Sequence, residues 1–190
     1  MRKNLILLIA LAVFGLKATA QNAVVKFAPV DASPLDVAYY PANIAKVKKD
    51  DPSMPIIKLL YSRPAKKGRE IFGVLEQFDK VWRLGANEST EINFYKAVFI
   101  GDKKIKAGRY SLFAIPRKDK WTIILNKQLD RWGAFTYDQA KDVTRVEVPV
   151  TKIDKTIESF SIVFTELANG TNMVMAWDQT QVTLPIFFKK

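Results

Sequence analysis

The feature that most limits this chain is its punctuation. From Ile56 to Phe188, short runs of β-branched and aromatic residues are closed by turn residues at regular intervals, and no long segment keeps a helical period. IIKLLY (56–61) ends at Ser62-Arg63-Pro64. TEINFYKAVFI (90–100) sets Ile92, Phe94 and Val98 on one side and Glu91, Asn93 and Tyr95 opposite. After a turn at Gly101-Asp102-Lys103, residues 104–115 alternate Tyr110, Leu112 and Ala114 with Ser111, Phe113 and Ile115. RKDK (117–120) is a second turn and WTIILN (121–126) a further strand. Runs at 144–150, 158–166, 173–177 and 180–188 follow, with Asn169-Gly170 as a hairpin turn. The pattern predicts an all-β fold, an antiparallel β-sandwich with barrel-like closure as the variant. Short helices are expected at most near 43–48 and 137–142.

The first twenty residues read differently. Arg2 and Lys3 precede an apolar run from Leu5 to Leu16, and Ala18-Thr19-Ala20 forms a small-residue cleavage pattern. This predicts a cleaved export signal over 1–20, too short for a convincing membrane span, and a periplasmic or secreted mature protein with no transmembrane segment. Residues 21–54, broken by Pro29, Pro34, Pro41 and Pro52, read as an N-terminal arm with an edge strand near 33–40 and a loop near 50–55. Residues 55–190 read as one β-sandwich domain.

Composition narrows the chemistry. Removing Arg2, Lys3 and Lys17 from the 30 basic residues leaves 27 against 19 acidic ones, a mature charge of +8. An exported basic domain meets anionic lipid headgroups, glycans and cell-wall carboxylates rather than nucleic acid. The chain has no Cys and no His. Disulfides, thiolate nucleophiles, Ser-His-Asp and Cys-His schemes and His- or Cys-based zinc sites are thereby excluded. No catalytic residue, metal site or cofactor is assigned.

Four stretches carry the candidate residues. KAGRYSLFAIP (106–116) places Gly108 two residues before Tyr110, a tyrosine-corner pattern that ties a phenol to nearby backbone. YSRPAKKGREIFG (61–73) gathers Arg63, Lys67 and Arg69 on a segment that must turn, a cluster suited to an anion or to plain solvation. DKVWRLGANESTEINF (79–94) offers two readings. In one, Arg83 folds back on Glu88 and pins the loop; in the other, Trp82 walls a pocket with Arg83, Asn87 and Glu88 as ligand contacts. The long connection 126–142 carries Trp132 and Tyr137, which suit either stacking on a sugar ring or capping of the core. The 82–90 loop is expected near 61–69 or 130–138.

These stretches, with WTIILNK and WGAFTYD, occur in an order that resembles the exported bacterial family catalogued as domain of unknown function 2911. The resemblance covers roughly 55–188, and its most specific piece is Trp82, Arg83, Gly85, Ala86, Asn87, Glu88 and Thr90. It implies a compact exported β-domain, placed in the periplasm of a double-membraned bacterium, without established activity and without catalytic residues to carry over. Three functions follow in order. The first is a non-catalytic binding module for an anionic or carbohydrate-like envelope ligand. The second is a structural or assembly protein of the envelope. The third is a carboxylate-based hydrolase pairing Glu88 with a second carboxyl such as Asp79 or Asp138.

Overall fold

The alternating runs become nine strands: β1 (Leu35–Tyr40), β2 (Ile57–Ser62), β3 (Thr90–Phe94), β4 (Val98–Ile100), β5 (Lys103–Ile105), β6 (Gly108–Pro116), β7 (Lys120–Asn126), β8 (Asp142–Leu167) and β9 (Gly170–Phe187). The computed structural model describes residues 25–46 and 53–189. The expected leader over 1–20 and the start of the loop expected at 50–55 lie outside these. The strands form an open sheet in the order β1-β2-β3-β6-β7-β8-β9-β4-β5, antiparallel throughout. One layer runs from β1 to the start of β8. The second consists of the rest of β8, β9, β4 and β5, so the sheet doubles back as a sandwich.

The doubling depends on β8. Its first residues pair with β7, and from Val150 onward it pairs with β9. Register shifts between Lys152 and Ile157, and again between Ile157 and Ser161, bend it from one layer to the other. The polar residues here separate two sequence runs but not two strands, because extended backbone persists while Lys152, Asp154, Lys155 and Thr156 face solvent. The four C-terminal runs are therefore two long strands joined at Asn169, whose φ is +60°.

Two other strands are shorter than expected. The run 90–100 divides into β3 and β4, because β3 pairs with β2 and β6 whereas β4 pairs with β5 and β9 in the other layer. The run 104–115 divides at Gly108, where φ is +141°. The tyrosine corner forms there: the Tyr110 hydroxyl donates to the Lys106 carbonyl at 3.0 Å. β1 lies at the sheet edge, as expected of 33–40. Both expected helices are single 3₁₀ turns, Ala42–Lys46 and Gln139–Lys141.

Between the layers lies an aromatic core. The Trp82 ring centroid stands 5.0 Å from Phe160, 5.7 Å from Trp121, 6.0 Å from Trp177 and 6.0 Å from Phe72. The edge-to-face contacts and the stack with Trp177 bury three of the four tryptophans. Trp82 belongs to no strand, yet its backbone exchanges two hydrogen bonds with Ala114, extending β6 past the end of β3.

Trp82→Ala removes the ring on which four others rest. The variant should be about 3–5 kcal/mol less stable, at the large end for core truncations, and urea unfolding followed by circular dichroism measures the difference.

Candidate functional site

The Trp-Arg-x-Gly-Ala-Asn-Glu-x-Thr segment is a folded elbow, and each of its residues can be assigned a physical task. Trp82 is buried in the core, and its indole N–H donates to the Gly85 carbonyl at 3.0 Å. Its ring faces the core, not a surface cavity. Leu84 and Asn87 take left-handed conformations, with φ of +55° and +57°. Gly85 lies against β2, where an added Cβ would stand 3.0 Å from the Ser62 carbonyl oxygen. Thr90 closes the elbow: its hydroxyl donates to the Leu84 carbonyl at 2.5 Å and its N–H to the Arg83 carbonyl at 3.1 Å.

The elbow is docked on the 130–138 loop by backbone. Ser89 N–H donates to the Arg131 carbonyl at 2.8 Å and Gly133 N–H to the Asn87 carbonyl at 2.9 Å. Glu88 and Trp132 thus form a small antiparallel bridge, and residues facing each other in such a bridge project their side chains on one side. Ser89 adds a hydroxyl contact to the Arg131 carbonyl at 3.3 Å.

The expected Arg83–Glu88 pair does not form. The two left-handed residues between them turn Glu88 outward toward Trp132, and among the described residues no hydrogen bond or ion pair joins the two. Arg83 is half-buried with its Nε unpartnered, and its charge, like that of Arg69, is felt at the Glu76 carboxyl. Hydroxyl and backbone contacts, not a guanidinium, pin the elbow.

The basic loop is also engaged internally. Arg63 joins β1 to β8 through Asp36 at 2.9 Å, Ser161 at 2.8 Å and the Phe160 carbonyl at 3.2 Å. Arg69 donates to the carbonyls of Lys66 at 3.0 Å and Ala65 at 2.5 Å. Lys67 takes a left-handed φ of +48°, and its backbone N–H donates to Glu158 at 2.8 Å while its side chain is exposed. Tyr137 packs on Phe113 at 5.1 Å, donates to Asp142 at 2.7 Å and accepts from Arg145 at 2.6 Å. Burial and the Asp142 carboxylate push its phenol up to about 12. It covers the outer face of the sheet over Phe113, outside the core between the layers, rather than capping that core.

What the structure brings together is Asn87, Glu88 and Trp132, beside a cavity of about 220 Å³. The cavity is lined by residues that include Tyr61, Ser62, Glu88, Glu91, Arg109 and Arg131. Trp132 stands next to it through Glu88 and is 62% exposed; Phe135, three residues on, is 87% exposed. Arg109 grips Glu91 with two nitrogens and reaches Asp130 at 3.1 Å, and these acids raise its pKa. Among the described residues the Glu88 carboxylate and the Arg131 guanidinium have no partner. Phe135 belongs with Trp132 and Tyr137 among the aromatics of the long connection, whereas Arg109 and Arg131 were not singled out as site residues in the sequence. The available signal was the pairing of β3 with β6, which sets Glu91 diagonal to Arg109.

The carboxyls considered as partners for Glu88 have other work. Asp79 accepts from Arg117 at 2.6 Å, and Asp138 caps the second 3₁₀ turn by accepting from Ala140 N–H at 2.9 Å. Among the described residues no group of three or more acidic side chains is placed to hold a metal ion.

A family model described as "Protein of unknown function (DUF2911)" matches residues 43–186. No curated protein and no solved structure matches the chain.

Glu76 gives this region a pH signature. Burial pushes its carboxyl up to about 7 from 4.5, against the opposing pull of Arg83 and Arg69. The folded chain therefore keeps a proton that the unfolded chain releases. This contribution to stability is complete below about pH 4.5 and is lost as pH rises to about 7. Glu76→Gln should raise the melting temperature by about 3–5 °C at pH 8 and leave it almost unchanged at pH 4.5. Parallel melts of the two proteins across that range give the comparison, because carboxylates common to both cancel.

Proposed function

We propose, from the premise that the chain belongs to the DUF2911 family, that it is a non-catalytic binding module whose ligand is a glycan of the cell envelope, taken up at the Glu88–Trp132 bridge. The observation that carries this reading is an exposed indole held on a rigid backbone bridge beside an unpaired carboxylate. Three tryptophans are buried as core, and the fourth is left in solvent. An indole face suits the C–H surface of a sugar ring, and a carboxylate accepts from neighbouring hydroxyls. Arg131 adds a donor on the cavity side. With Arg63 and Arg69 committed to internal acceptors, the basic loop offers less to an anionic ligand than this bridge offers to a sugar.

A second reading, an assembly protein of the envelope, draws on β1. Its outer edge borders a cavity of about 380 Å³, with Val37 and Val163 exposed. A strand edge with exposed apolar residues suits pairing with another strand. Sedimentation showing concentration-dependent dimers, broken by Val37→Lys, would favour it.

The glycan reading is tested by titrating the protein with peptidoglycan and lipopolysaccharide oligosaccharides while following tryptophan emission. A saturable change is expected. Trp132→Ala should abolish it with the melting temperature kept, and Glu88→Gln should weaken binding about tenfold, the equivalent of one charge-assisted hydrogen bond. Unchanged affinity in Trp132→Ala would overturn the reading.

A further inference from the structure

Away from the elbow, a cavity of about 320 Å³ is lined by Glu70, Phe72, Phe78, Arg117, Lys118, Trp121, Val150, Lys152 and Thr180. We infer that it is a second ligand site, for a small free amphipathic anion: an apolar or aromatic body carrying one carboxylate, sulfonate or phosphate.

The floor is apolar and continuous with the core. Phe72 and Val150 pack against the core cluster, and Phe72 stands 4.9 Å from Trp121. Trp121 is fully buried, and its indole Nε1 is one of two buried side-chain nitrogens without a partner among the described residues. A buried donor left unpaired is uncommon in a finished interior, and the cavity meets Trp121 at its floor.

The rim is cationic. Arg117 is partly neutralised by Asp79 at 2.6 Å and Glu147 at 3.6 Å. Lys152 reaches only the Thr180 hydroxyl, at 3.4 Å, and Lys118 has no partner among the described residues. Glu70 is the one carboxylate among the lining residues. An apolar body against the phenyl and indole rings, with its charge toward Lys118 and Lys152, satisfies both halves of the cavity. A neutral sugar would leave the lysines unused, and an inorganic anion would leave the floor empty. The site shares no lining residue with the cavity beside Glu88, so the two assignments stand or fall separately.

The probe is anilinonaphthalene sulfonate, with uncharged phenyl-naphthylamine as its neutral counterpart. Fluorescence titration should give one saturable sulfonate site per chain. Lys118→Glu combined with Lys152→Glu should weaken the sulfonate about tenfold or more and leave the neutral probe within about twofold, since only the charge contribution changes. Both lysines are exposed, so the fold is retained, and a melt verifies it. Trp132→Ala should bind the sulfonate like the parent. The inference is overturned if the sulfonate does not saturate, if the double variant binds it as the parent does, or if both probes weaken together. Displacement of the probe by phosphatidylglycerol vesicles would assign the site to lipid headgroups and overturn the free-ligand assignment.

Discussion

Trp82 is the contact on which the architecture turns. It lies in a connection with little regular structure, yet its ring touches Phe72, Trp121, Phe160 and Trp177, which come from a loop, from β7, from β8 and from β9. Two backbone bonds to Ala114 and one indole bond to Gly85 leave it little freedom. Because the elbow begins at this residue, its position is inherited from the core. Glu88, six residues later, is presented at the surface by an isolated bridge to Trp132. Packing energy spent in the interior thus fixes the geometry of an exposed carboxylate.

The polar side chains sort by whether a neighbour already satisfies them. Asn126, fully buried, donates to the Asp138 carbonyl at 2.9 Å and to Asp142 at 2.7 Å, and accepts from Gln128 N–H at 2.8 Å. With the Ser111 hydroxyl donating to the Gln128 carbonyl at 2.5 Å, it holds the long connection onto the outer face of β6 and β7. Buried polar groups joined in this way rigidify what they join. Against that background Glu88, Arg131 and the indole nitrogen of Trp121 stand out, since none has a partner among the described residues. The glycan site draws on Glu88 and Arg131, and the second cavity adds the exposed Lys118 and Lys152 to its aromatic floor.

Much of the fold was readable because period-two alternation and turn chemistry are local signals. The hairpin at Asn169-Gly170, the tyrosine corner at Tyr110 and the edge placement of β1 all follow from a few neighbouring residues. The division of 90–100 into two strands was not readable, since only partners distant in the chain determine where it changes layer. Arg83 and Glu88 looked like a pair because they are near in sequence. The left-handed turns at Leu84 and Asn87 set them apart, and neither residue is a glycine that would have announced such a conformation. Trp132 was legible as an aromatic on a long connection. Its exposure contrasts with the half-burial of Tyr137, whose ring packs on Phe113.

The β8–β9 ribbon has a kinetic consequence. Its two strands meet at a short turn, where closing the loop costs little entropy, and pairing can then advance outward one rung at a time from Leu167 and Gly170. β8 runs on from this ribbon into the other layer, so zipping the ribbon early hands the remaining strands a bent template on which to add. Gly170 lies at the start of that process, in a gap where a methyl group would stand 2.2 Å from the Ile186 carbonyl oxygen. A side chain at that position would obstruct assembly where it begins and would also crowd the finished fold.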